Sequence, residues 1–222
     1  YFAKSARAGE STVPGYLKAT QLLTGVGWPF FLVVGVLAFS TIRLLYGPQW
    51  GNAVVLAQIL CLVATLELPY WLAKEVIIAV GRIDQANRMQ FWIQGMRLAS
   101  LVLVFPFGLK GVCWGLVVSA FAGCWVAHRF LRAAIEIRAV DIFRACLPSA
   151  AVAAAAMFPA MMAALWFTQS EQNYGRFLAL GGLASAATWL LALRAVKHGF
   201  WDEIKNIVAS LSSRWQRQRS AG

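Results

Sequence analysis

Long apolar runs separated by short polar breaks recur along the whole chain. Residues 22–42 carry no charged side chain, and the apolar pattern resumes directly after the break "GPQWGN" at residues 47–52. A hydrocarbon core roughly 30 Å thick is crossed by about 20 residues of helix, and these runs have that length. Hydropathy windows of about 19 residues place six helices, at residues 21–46, 53–80, 86–107, 111–131, 143–167 and 174–196. The expected fold is an all-α integral membrane bundle of six transmembrane helices at residues 21–198, with a cytoplasmic lead-in at 1–20 and a cytoplasmic, basic, amphipathic tail at 199–222.

The breaks carry their own signals. Gly47, Pro48, Gly51 and Asn52 are turn formers, and Trp50 suits headgroup depth, so "GPQWGN" predicts a hairpin tip outside the membrane. The second run is the least regular, because Glu67, Pro69, Lys74 and Glu75 interrupt it. Pro69 removes a backbone donor and should kink the helix, which nevertheless reads as one long element. Gly111 with Gly115, and Ser119 with Gly123, put small residues at helical spacing where a neighbour can approach closely. In the tail, Phe200, Trp201, Ile204, Ile207, Val208, Leu211 and Trp215 form an apolar stripe, with Arg214, Arg217 and Arg219 able to meet anionic headgroups.

Lys and Arg fix the orientation. Cytoplasmic segments accumulate these residues, whereas acidic residues count for little. Lys4, Arg7, Lys18, Lys74, Arg82, Arg88, Arg129, Arg132, Arg138, Arg144, Arg194, Lys197 and the basic residues of the tail fall on one side of the six runs. Only Arg43, Lys110 and Arg176 face them, and Arg97 lies inside a run. The asymmetry places both termini in the cytoplasm.

Composition agrees with this assignment and narrows the chemistry. The chain of 222 residues is 60% hydrophobic and 13% charged, against about a quarter charged in ordinary soluble domains; its mean hydropathy is +0.64. The formal charge of +11 is scattered, with no nucleic-acid-binding signature beside it, so no nucleic-acid partner is expected. Cys61, Cys113, Cys124 and Cys146 lie in or at the edge of apolar runs without CxxC spacing, and read as small core residues. His128 and His198 sit at cytoplasmic span ends and read as headgroup-level polar residues. With no HExxH, no P-loop and no dinucleotide fingerprint, neither an enzyme, nor a metal site, nor a cofactor is expected. The opening "YFAKSARAGE" has no Met and no signal-like apolar segment, so a longer parent chain is expected.

Ionisable residues inside the runs are the candidates for function, because a charge at membrane depth is costly and tends to face a wet cavity or a partner. Glu67, Lys74, Glu75 and Arg97 are candidates for a substrate path. Arg97 has the planar fork that suits a phosphate, and Glu67 lies beside the Pro69 break.

The stretches "YLKATQLLTGVGWPFFLVVGVLAFSTIRLLYGPQWGNAVVLAQIL", "AVGRIDQANRMQ" and "FGLKGVCWGLVVSA" resemble the polysaccharide transporter branch of the multidrug/oligosaccharidyl-lipid/polysaccharide flippase superfamily. The matching features are Trp28-Pro29, the hairpin motif Arg43, Tyr46, Gly47 and Trp50, Gly81-Arg82, and the pair Gly108 and Gly111. The resemblance covers residues 16–131; beyond that it rests on hydropathy. It implies the C-terminal part of a two-lobed flippase of the bacterial inner membrane that moves an undecaprenyl-pyrophosphate-linked oligosaccharide outward for O-antigen, capsule or exopolysaccharide biosynthesis. Its implied partners are that lipid-linked substrate, membrane lipids and further N-terminal helices of the same protein. A drug/cation antiporter of the same superfamily is the chief alternative, and a membrane glycan polymerase a further one.

Overall fold

A computed structural model describes residues 11–167 and 174–201. Among them the regular elements are all helical: α1 (Val13–Tyr46), α2 (Ala53–Glu67), α3 (Ala73–Ala79), α4 (Ile83–Val104), α5 (Gly108–Ile135), α6 (Ala139–Phe167) and α7 (Tyr174–Ala195). Five helical stretches of the described residues are long and apolar enough to cross a membrane: Val13–Tyr46, Ala53–Ala79, Ile83–Ile135, Ala139–Trp166 and Tyr174–Ala195. The outward faces are greasy, with Phe30 60%, Leu103 74% and Trp166 86% exposed. A water-soluble fold does not present so continuous an apolar surface; a lipid-facing one does.

Ile83–Ile135 is a single stretch of 53 residues, about 80 Å if straight at about 1.5 Å per residue. It is not straight. A 3-10 turn at Phe105–Phe107 and Gly108, whose φ of +70° suits a residue without Cβ, divide it into α4 and α5, which pack along each other. The expected helices at 86–107 and 111–131 are therefore the two arms of one hairpin.

Element boundaries differ from the hydropathy windows for local reasons. α1 starts at Val13, inside the expected lead-in, because Pro14 is preset for a first turn and Tyr16 is wholly buried there. α6 starts at Ala139, where Asp141 Oδ2 accepts the Arg138 N–H at 3.3 Å. The run at 53–80, expected as one long helix, resolves into α2, a 3-10 turn at Leu68–Tyr70, and α3. The tail's amphipathic stripe lies outside the described residues from position 202 onward, as does the lead-in at 1–10.

α1 is the central element. It packs along α6 and α7 on one side and α2 on the other, while α5 joins α2 to the peripheral α4. One apolar cluster gathers Tyr16, Val76, Met89, Leu131, Ile137 and Ile142 where α1 and α4 begin and α5 ends. A second, Ile59, Val63, Cys113 and Val117, fills the α2–α5 interface. Leu37, Ala160 and Phe177 form a third between α1, α6 and α7.

Candidate functional site

The break between α2 and α3 begins with a missing proton. In a continuous α-helix the carbonyl of Thr65 would accept from residue 69, but Pro69 has no N–H. Trp28 of α1 supplies the donor instead, its indole Nε1–H reaching Thr65 O at 2.8 Å. Tyr16, also from α1, donates its hydroxyl to Pro69 O at 2.8 Å, and the Cys124 thiol of α5 reaches Leu66 O at 3.3 Å. In lipid an unmet backbone group costs several kcal/mol, so these three side chains make the interruption tolerable at membrane depth.

The interruption holds Glu67 against α4, where its carboxylate forms an ion pair with Arg97. Both side chains border a cleft of about 180 Å³ between the broken helix, α4 and α5. Lys74 lines it too, together with Tyr70, Trp71, Gln90 and Gln94. The formal charges of Glu67, Arg97 and Lys74 leave the cleft positive by one unit, and low-dielectric walls strengthen such a field. Arg97 is bound by one carboxylate, and Lys74 stands on the same wall as Glu67, so an anion entering the cleft would meet two cations and a competing carboxylate.

Three of the four substrate-path candidates, Glu67, Lys74 and Arg97, thus come together. Glu75 does not; it is exposed on α3 and lines no part of the cleft. The hairpin residues lie elsewhere. Gly47 turns the chain with φ +86°, the Tyr46 and Trp50 rings meet at 5.9 Å, Gln49 Nε2 donates to Tyr46 O at 2.7 Å, and the Arg43 guanidinium lies 5.2 Å from the Phe39 ring. Arg82 of the Gly-Arg motif donates to Ala133 O at 2.6 Å and so caps the end of α5.

Gln90 and Gln94 were legible in the sequence but were not singled out there. With Arg97 they recur at spacings of four and three, which puts all three on one face of α4. A polar stripe on an otherwise apolar helix is the signal. Cys124, expected as a core residue, is instead a donor to the broken helix.

Both histidines meet side chains of the bundle. His128 is half-buried with its ring edge-on to Tyr70 at 6.1 Å. His198 is 1% exposed and bonds Ser149 Oγ through Nε2 at 3.0 Å. Hydropathy places a polar residue near a span end but does not see the partner that draws it inward. No protein-family model, no curated protein and no solved structure matches this chain.

Proposed function

We propose that this chain is the C-terminal part of a membrane transporter that moves an undecaprenyl-pyrophosphate-linked oligosaccharide across the bacterial inner membrane, for O-antigen, capsule or exopolysaccharide biosynthesis. The observation that carries this reading is the positive cleft at the helix break, where Arg97 and Lys74 face the same space as Glu67. Discontinuous spans that line a cavity with polar groups are the usual way a transporter holds a substrate at membrane depth. A pyrophosphate headgroup would be met by a guanidinium fork and an ammonium group. The sequence resemblance over residues 16–131 points the same way. In this reading the α4–α5 hairpin crosses twice, giving six crossings with both ends of the chain in the cytoplasm, and the activity is translocation without bond chemistry. An organic cation, the substrate of the antiporter alternative, is disfavoured by the sign of the cleft.

Deleting the gene in its host should make lipid-linked repeat units accumulate on the cytoplasmic leaflet and should abolish surface glycan, with recovery on re-expression. Normal glycan export in a deletion strain carrying no second copy would refute the assignment.

A further inference from the structure

The second buried polar cluster lies away from the cleft, where the chain leaves α7. His198 N–H donates to Leu193 O at 3.0 Å, and Trp201 N–H donates back to His198 O at 2.8 Å, so the chain turns sharply at this residue. The imidazole then fits into the α1–α6 contact. A Cβ on Gly25 of α1 would stand 2.5 Å from the ring, so only glycine leaves room for it. Trp189 of α7 covers the same place, its Nε1–H donating to Gly25 O at 2.9 Å and its ring lying 6.0 Å from that of Phe200.

The hydrogen bonds specify the ring's protonation. Phe200 N–H donates to Nδ1 at 3.2 Å, so Nδ1 is an acceptor and bears no proton. The proton is therefore on Nε2, which donates to Ser149 Oγ at 3.0 Å. Ser149 Oγ passes its own hydrogen to Gln21 O at 3.1 Å and lies 2.8 Å from Thr24 Oγ1. A second proton on the ring has only Nδ1 to occupy, where it would point at the Phe200 N–H, donor against donor.

We propose that His198 is a pH-released fastener that holds the chain leaving α7 against α1 and α6. It goes beyond the transport reading and does not rest on it. Among the described residues, the groups meeting the ring are uncharged: Gly25 of α1, Ser149 of α6 and the Phe200 amide, with Gln21, Thr24, Trp189 and Leu193 bonded around them. Cys146 of α6 reaches the cluster through Thr24, and the charged Lys18 of α1, Arg194 and Lys197 are exposed. Burial holds the imidazole pKa below its ordinary 6.5. A depressed histidine pKa favours the neutral folded form, so the fastening is complete above about pH 6.5 and is lost as the pH falls through the folded value.

Hydrogen–deuterium exchange on the full chain in lipid nanodiscs tests this, read at the Phe200 and Trp201 amides at about pH 7.5 and about pH 5 and corrected for intrinsic rates. Protection in the wild type should fall several-fold on acidification. His198→Asn keeps an acceptor, Oδ1, where Nδ1 stands but cannot take up a proton, so its protection should hold steady. Equal loss in both proteins, or none in the wild type, would overturn the proposal. Should His198→Asn not fold, imidazole 15N spectra of the wild type decide, with His128→Gln identifying the signals. Loss of protection in step with protonation at Nδ1 supports the fastener; a ring already charged at about pH 7.5, or protection that survives its titration, overturns it.

Discussion

At the scale of single residues, Glu67 and Arg97 show how far a charge in an apolar run can be read. Their types and positions announce that each needs a partner, but not that they satisfy one another, since α4 approaches the break only in the folded chain. With relative exposures of 25% and 32% for the two side chains, the pair is only partly dehydrated. Removing one partner strands the other and should cost about 1–3 kcal/mol, below the range for fully buried pairs. Glu67→Gln and Arg97→Met are each expected to lower resistance to unfolding in detergent, and the double variant to recover at least half of the summed loss. Strictly additive losses would show that the two groups are not coupled. The opposite case is His198, whose position near a span end says nothing about Ser149, 49 residues earlier, or about the space left by Gly25.

At the scale of elements, helices were legible wherever apolar residues ran on, and their ends were legible only where a local signal fixed them. Pro69 marks the kink, yet the change from α to 3-10 geometry at Leu68–Tyr70 depends on donors from Trp28, Tyr16 and Cys124, which stand 37, 53 and 58 residues from the carbonyls they reach. No window along the chain sees such partners. Trp28→Phe should cost about 1–2 kcal/mol, because Thr65 O then lies unpaired away from water. In a Pro69→Ala background residue 69 regains an N–H, so the same substitution should cost less than half as much. A double-mutant cycle in thermal unfolding reads the difference; equal costs in the two backgrounds would mean that the indole stabilises by packing alone.

At the scale of the whole molecule, the bundle was legible because lipid imposes a length and a polarity on every crossing segment. The order of packing was not: that α1 lies between α2 and the α6–α7 pair follows from side-chain fit, on which hydropathy is silent. The orientation expected from Lys and Arg is checked with impermeant maleimide in intact cells. With Cys61, Cys113 and Cys146 changed to Ala and Cys124 to Ser, Gln49→Cys should be labelled from outside. Arg138→Cys, exposed at the turn between α5 and α6, should react only after permeabilisation. The reverse pattern would invert the topology and remove the basis for outward transport.

The shared donors at Pro69 also restrict how such a molecule can move. Sliding α1 by one turn past α2 would strip two carbonyls of their partners at once, and shifting α5 would strip a third. These helices must therefore travel as a single block. A movement that reshapes the cleft is thus left to α4, swinging on the Gly108 joint.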